Sequence, residues 1–182
     1  MSQTPASAIH IDSAGLASPV QYILSPNQDE RPQPAEVDMI VIHNISLPPD
    51  QYGGPGIMQL FTNQLDPQEH PYYAEIAHLK VSSHFLIRRT GELLQFVSCN
   101  QRAWHAGLSK WQGRERCNDF SVGIELEGSD IEVFEDVQYI TLQALINALR
   151  QRYAIRHIVG HSDIAPGRKT DPGPFFDWQR IT

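Results

Sequence analysis

Apolar and polar positions along the chain change their period several times, and each change predicts an element. Asp38-Met39-Ile40-Val41-Ile42 is continuously apolar after its aspartate. A short unbroken run of this kind predicts a strand covered on both faces. His84-Phe85-Leu86-Ile87-Arg88-Arg89 and Glu92-Leu93-Leu94-Gln95-Phe96-Val97 flank Thr90-Gly91. That arrangement predicts a hairpin, with glycine supplying the positive φ of the turn. In Phe120-Ser121-Val122-Gly123-Ile124-Glu125-Leu126-Glu127 the pattern alternates. Val122, Ile124 and Leu126 then share one face of a strand, and Ser121, Gly123, Glu125 and Glu127 the other. Leu142, Leu145, Ile146, Leu149 and Tyr153 recur at three- and four-residue spacing, which predicts a helix over about 136–153. Glu135 and Asp136 suit its positive end, and Arg150 and Arg152 its negative end. His157-Ile158-Val159 reads as a short strand that leads into Gly160-His161. A last helical turn is expected around 175–179, packing Phe176 and Trp178 against the sheet.

Between these elements lies a long irregular stretch, residues 44–71, with Pro48-Pro49, Gly53-Gly54-Pro55-Gly56 and Asp66-Pro67. It offers one short helix, over 57–63. An excursion this long inside a compact domain is usually functional, which predicts a substrate-binding wall or lid. Residues 1–19 read as a poorly tied arm, followed by a proline-rich loop over 25–34. The sum is an α/β fold: a single domain with a central mixed β-sheet flanked by helices. Residues 1–36 form the arm and loop, and 37–182 the domain proper.

Composition changes this picture little. The 182 residues suffice for one core, and 41% hydrophobic with 19% charged residues is ordinary for a globular chain. The net charge is -7 and no basic cluster exceeds Arg88-Arg89, so nucleic acid is not an expected partner. An anionic substrate stays open, because the local field of a cleft outweighs net charge. Two cysteines, Cys99 and Cys117, give no disulfide framework, and free thiols are expected. No stretch approaches the roughly 20 apolar residues of a membrane span. Residues 1–17 lack the basic and apolar regions of a secretory signal, so the expected address is cytoplasmic.

Candidate chemistry gathers at strand ends. His43 closes the first apolar run, and His161 opens Gly160-His161-Ser162-Asp163-Ile164-Ala165-Pro166-Gly167-Arg168-Lys169-Thr170-Asp171-Pro172-Gly173-Pro174. Ligands of open α/β sheets collect at the carboxyl ends of strands. Two histidines and a carboxylate would leave one position of a zinc ion open for water, as a hydrolytic site requires. Asp171, ten residues after His161, can fold back to them, but before Pro172 it can equally start a turn. Asp163 can bind the backbone of its own loop, and spacing does not choose between the two aspartates. Glu125, beside small Ser121 and Gly123, is a candidate general acid/base. A buried ion pair with an arginine is the competing role, and Glu127 competes for either. Lys169 would place an ammonium near the metal to stabilise an oxyanion, although a lone lysine is more often simply solvated. His105, beside Trp104, stands between pocket and scaffold. His84 reads as structural, and His10, His70, His78 and His157 as ordinary core or surface histidines.

These segments together resemble a known family. Val41-Ile42-His43-Asn44-Ile45-Ser46-Leu47-Pro48-Pro49, Arg102-Ala103-Trp104-His105-Ala106-Gly107, Gly113-Arg114-Glu115-Arg116-Cys117-Asn118-Asp119-Phe120, Gly123-Ile124-Glu125-Leu126-Glu127-Gly128 and the run from Gly160 to Pro174 look like the N-acetylmuramoyl-L-alanine amidases. The likeness is greatest to the cytoplasmic branch that recycles cell wall, and it covers residues 37–180 in one collinear block. It implies the fold shared by phage amidase lysozymes and peptidoglycan recognition proteins. It also implies one zinc per chain held by His43, His161 and Asp171, and a catalytic pair of Glu125 and Lys169. Asn44, Trp104 and Arg116 would contact substrate, with the Arg116 fork on a stem-peptide carboxylate. The implied reaction is hydrolysis of the amide between 1,6-anhydro-N-acetylmuramic acid and L-alanine. The implied partner is the muropeptide itself, with no nucleic acid, membrane or obligate protein partner. Lys80 departs from the family pattern, standing where arginine is expected. Two alternatives are a muropeptide-binding protein without activity and an amidase of intact peptidoglycan. The full set of presumed ligands and catalytic groups favours an enzyme over the first. A wall-binding module or export signal, which the second would call for, is not visible.

Overall fold

A computed structural model of the chain describes residues 8–181; residues 1–7 of the expected arm, and residue 182, lie outside them. The core is a six-stranded sheet of β1 (Gln21–Tyr22), β2 (Met39–Ile45), β3 (Phe85–Ile87), β4 (Leu93–Gln95), β5 (Ser121–Glu127) and β6 (His157–Gly160). Their spatial order is β6-β2-β5-β3-β4-β1. β2 runs parallel to both β6 and β5, and β5 parallel to β3. β3 and β4 form the antiparallel hairpin, and β1 joins β4 in parallel. The sheet is therefore mixed, as the sequence predicts. The helices are α1 (Gly56–Phe61), α2 (Pro71–Ile76), α3 (Asp136–Arg152) and α4 (His161–Ile164).

The unbroken apolar run of β2 has a simple cause. Met39, Ile40, Val41 and Ile42 are all fully buried, because both faces of the central strands are covered. On one face Ile40, Ile42, Val122, Ile124 and Leu126 pack with Leu142, Leu145, Ile146 and Leu149 of α3. On the other, Met39 and Val41 meet Ala106, Cys117, Phe120, Val159 and Ile164. A third cluster, under α1 and α2, contains Leu86, Leu94 and Phe96. The start of α3 is pinned to the sheet by Gln138. Its amide donates to the carbonyls of Ile87 (3.2 Å) and Glu127 (3.0 Å), while its Oε1 accepts from the backbone of Glu135 (3.0 Å).

Several expectations are corrected. β2 continues to Ile45, so His43 sits inside the strand rather than at its end. The arm is not loose from residue 8 onward. His10–Ile11 pairs with Ala17–Ser18, and Ile11 and Ala17 join the cluster against α3. The buried Gln95 amide anchors this small hairpin, accepting from Ala17 N (2.8 Å) and donating to the Gly15 carbonyl (2.9 Å). α2 was not expected; Pro71 opens it and the His70 ring accepts from Tyr72 N (3.1 Å). The last turn is a 3-10 helix, Trp178–Ile181, slightly later than predicted, with Phe176 buried beside it. Cys99 and Cys117 are free and buried. Among the described residues no helix is long and apolar enough to cross a membrane.

Candidate active site

Three adjacent parallel strands bring the site together at one edge of the sheet. Glu125 of β5 is paired in register with His43 of β2, and Gly160 of β6 with Ile42, so His161 follows at the next level. The chain turns there into α4, where Asp163 Oδ2 accepts from Gly160 N at 2.7 Å. That carboxylate caps its own helix. Asp171 instead comes back: Ser162 N donates to its carbonyl (2.9 Å), and Asn44 Nδ2 donates to the carbonyl of Pro172 (3.0 Å).

The result is a tight group of three side chains. His43 Nδ1 lies 3.0 Å from His161 Nδ1 and 2.9 Å from Asp171 Oδ2, and His161 Nδ1 lies 3.1 Å from the same oxygen. Both rings are buried, and burial holds the His43 pKa down to about 4 against the pull of Asp171, so the ring is neutral. His161 Nε2 faces the Ala106 carbonyl at 3.0 Å and so carries a hydrogen, which turns Nδ1 toward His43 and Asp171. Two ring nitrogens and a carboxylate oxygen therefore converge on one point. Their separations approach the ~3.3 Å edge of a tetrahedral zinc site with bonds of about 2.0–2.1 Å. The three residues can hold a metal ion.

Beside this group Glu125 is buried, and its Oε2 has no hydrogen-bond partner among the described residues. Burial first, and then the Asp171 charge, push its carboxyl well above the usual carboxylate range, while Lys169 pulls the other way. Glu127 has the opposite surroundings. It accepts from Arg88 Nη1 (3.2 Å), Arg89 N (3.1 Å) and Gly53 N (2.7 Å). The buried ion pair weighed for either glutamate thus belongs to Glu127, and Glu125 is the one left open to chemistry.

A cleft of about 270 Å³ joins His43, Asn44, Trp104, Glu125, Lys169 and Asp171. Its apolar wall includes Phe61 from the long excursion, and continues beyond it through Tyr72, Leu79 and Val81. Trp104 is held by a hydrogen bond from its indole to Asp29 Oδ1 (3.2 Å), and Asp29 is itself gripped by Arg102 at 2.6 Å. Asn44 has both amide hydrogens engaged, on Asp130 Oδ1 (2.7 Å) and Pro172 O, so it braces the loop that carries Asp171 and turns only its oxygen to other partners. Arg116 stands apart from the cleft. It lines a neighbouring depression with Gly107, Leu108 and Lys110, pairs with Asp119 at 3.0 Å, and leaves most of its side chain exposed. A roomier hollow, about 460 Å³, lies elsewhere around Arg31, Glu36, Arg152 and Tyr153. The Arg31 guanidinium there is directed at the carbonyls of Cys99, Asn118, Asp119 and Ser121.

Two further histidines adjoin the group, and His105 lines the cleft as well. His105 Nδ1 is 2.9 Å from His43 Nε2, and His105 Nε2 is 3.2 Å from Ser121 Oγ. The sequence signal for this place was Gly123, since a Cβ there would meet the His105 ring at 2.5 Å. His84 is scaffold, as expected: its Nδ1 accepts from Gly123 N (3.0 Å) and its Nε2 faces the Gln101 carbonyl (3.0 Å). Burial, reinforced by the nearby Arg31 charge, pushes its pKa down from 6.5 to about 3. A neutral His84 therefore contributes stability that is complete above its ordinary pKa and is lost as pH falls toward the depressed value. Between pH 7 and pH 5 the unfolding free energy should drop roughly 1–2 kcal/mol further in the unaltered protein than in His84→Gln. Urea titrations at the two pH values check this, and equal drops would dissociate His84 from the effect.

The mixed α/β sheet thus gathers three imidazoles, two carboxylates and a lysine into one cleft. Residues 33–174 match the family model described as N-acetylmuramoyl-L-alanine amidase. The 1,6-anhydro-N-acetylmuramyl-L-alanine amidase AmpD of Escherichia coli (strain K12) is 58% identical over 86% of this chain and 87% of its own. A crystal structure of a selenomethionine derivative of AmpD superposes with a TM-score of 0.90 at 55% identity, covering 92% of this chain and 95% of that one. The N-acetylmuramyl-L-alanine amidase AmiD from E. coli, solved with anhydro-N-acetylmuramic acid-L-Ala-D-gamma-Glu-L-Lys, gives 0.59 at 29% identity, over 97% of this chain and 65% of that one. The chain belongs to the N-acetylmuramoyl-L-alanine amidase family.

Proposed function

We propose that this protein hydrolyses the amide between 1,6-anhydro-N-acetylmuramic acid and the L-alanine of the stem peptide, in cell-wall recycling, with zinc held by His43, His161 and Asp171. The observation that carries the reading is the convergence of three acceptor atoms, all within about 3 Å of one another, beside an unpaired buried glutamate. Zinc in that position would supply a Lewis acid and a lowered pKa for water. Glu125 takes the proton of the attacking water and delivers it to the departing alanine nitrogen. Its apolar setting suits this shuttle, because a raised carboxyl pKa makes it both a better base and a ready acid. Lys169, on the rim of the same cleft, brings positive charge to the carbonyl oxygen as negative charge builds there. Trp104 offers an apolar face to sugar or peptide, and Asn44 Oδ1 an acceptor. Arg116, in the adjoining depression, would meet a carboxylate further along the peptide. The recycling role carries a cytoplasmic address with it, and the muropeptide is the partner.

Purified protein incubated with anhydro-muropeptide should release free stem peptide, read by mass spectrometry, and should act far more slowly on intact sacculi. Equal rates on the two would replace recycling by wall hydrolysis. Binding without release would make the protein a muropeptide receptor.

A further inference from the structure

We propose that His105 and Ser121 form a one-way hydrogen-bond chain that fixes the tautomer of His43, so that His43 presents its Nδ1 lone pair to the metal site. The direction is set at the far end. Ser121 Oγ lies 2.6 Å from the Cys117 carbonyl, a separation that requires the hydroxyl hydrogen between them. A serine has one hydrogen to give, so toward His105 its oxygen is an acceptor. His105 Nε2, 3.2 Å away, is therefore the N–H, and its Nδ1 is the lone pair. That lone pair lies 2.9 Å from His43 Nε2, which must then carry hydrogen and leave Nδ1 bare. The opposite assignment would set two acceptors face to face at the Ser121–Cys117 end, where no cation could relieve them, whereas the acceptors gathered at His43, His161 and Asp171 are those a cation would relieve.

The chain is built in rather than incidental. His43 and Ser121 are buried, and the His105 ring lies edge-on to His43 with centroids 5.0 Å apart. It rests on the bare backbone of Gly123, where any Cβ would collide with Cγ and Cδ2 at 2.5 and 2.7 Å. Asn118 Oδ1 holds the adjoining loop by accepting from the backbone of His105 (3.2 Å) and Ala106 (2.8 Å). His161 reaches the same tautomer by a different route, through the Ala106 carbonyl. Two independent devices thus aim two Nδ1 lone pairs at one point. His105 is a positioning residue: it acts through His43 and is not itself a ligand in this scheme.

The affinity readout rests on the zinc reading above, whereas the tautomer is a property of the protein. Chelator competition on the zinc-loaded full chain should show His105→Leu weakened roughly 10–100-fold, and His105→Asn, whose Oδ1 can replace the Nδ1 acceptor, restored to within about threefold. A purely scaffolding role would penalise both variants alike. Should His105→Leu fail to fold, Ser121→Ala and nitrogen-15 imidazole spectra of the zinc-loaded, unaltered protein carry the test. The spectra should show hydrogen on Nε2 of both His43 and His105, and Ser121→Ala should populate the other tautomer of His105. Hydrogen on His43 Nδ1, unaltered zinc affinity in His105→Leu, or equal losses in the two His105 variants would overturn the proposal. If the unaltered protein takes up no zinc but carries hydrogen on His105 Nε2, the metal reading fails and the Ser121–His105 link stands.

Discussion

Replacing Glu125 with alanine is expected to lower turnover of anhydro-muropeptide by roughly 10²–10⁴-fold while zinc content stays at about one per chain. The reason is the contrast between two glutamates on one face of β5. Glu125 has a buried Oε2 without a partner and lines the cleft, whereas Glu127 is tied to Arg88, Arg89 and Gly53. Removing Glu125 takes away a proton carrier and leaves no stranded charge behind. Removing Glu127 leaves the buried Arg88 guanidinium only the more exposed Glu92 carboxylate (3.5 Å) and the Gly54 carbonyl (3.1 Å), in place of a pair whose side chains are 9% and 2% exposed, and unpairs Gly53 N and Arg89 N. Glu127→Ala should therefore lose about 3–5 kcal/mol of stability, a different signature altogether. Lys169→Ala should fall within roughly tenfold of Glu125→Ala, since oxyanion and proton-transfer groups are of similar worth. Single-turnover assays, metal analysis and denaturant titration of the variants separate these outcomes. Loss of zinc together with activity in Glu125→Ala would make Glu125 a structural support of the metal site.

Chelation of the purified protein is expected to abolish hydrolysis and to lower Tm by roughly 5–15 °C, both being restored by zinc. Without a cation, two imidazole nitrogens and a carboxylate oxygen face one another at 2.9–3.1 Å in a largely buried place. A ligand that binds only the folded state, at 100–1,000 times its Kd, stabilises by about 2.7–4.1 kcal/mol, and each kcal/mol is worth about 2–4 °C in a chain of this size. Differential scanning fluorimetry with and without chelator measures the shift, and an activity assay on the same samples measures the chemistry. Hydrolysis that survives complete chelation, with Tm unchanged, would remove the metal from the mechanism. Asp171→Ala should reproduce the chelated state without chelator, because the shared oxygen is the atom common to both histidine contacts.

Much of this architecture is visible in the amino-acid order because it rests on local periodicity. The unbroken run of β2, the alternation of β5 and the apolar stripe of α3 each state which faces are covered, and packing follows them. What depended on distant partners was harder to read. Asp163 and Asp171 are equivalent on spacing alone, and the hydrogen bond from Gly160 N that separates them exists only once α4 has formed. Glu125 and Glu127 alternate identically, and only distant partners, Arg88 and Arg89 from the β3–β4 hairpin and the backbone of Gly53, distinguish them. The two-residue strands of the N-terminal hairpin carry no periodicity, since their anchor is the Gln95 side chain. Likewise α2 has six residues, too few for a stripe, and starts at a histidine cap. The placement of His105 needed a view across the sheet to Gly123.

The pairing of His43 with Glu125 across neighbouring parallel strands ties catalytic alignment to folding itself. A one-residue slip of either strand would swap its interior and exterior side chains, pulling the imidazole from the carboxylate and driving polar groups into the packing under α3. Misaligned molecules would thus be rejected as unstable before they could turn over substrate slowly. In a mutational survey, insertions or deletions within 39–45 or 121–127 should eliminate soluble protein rather than yield sluggish enzyme.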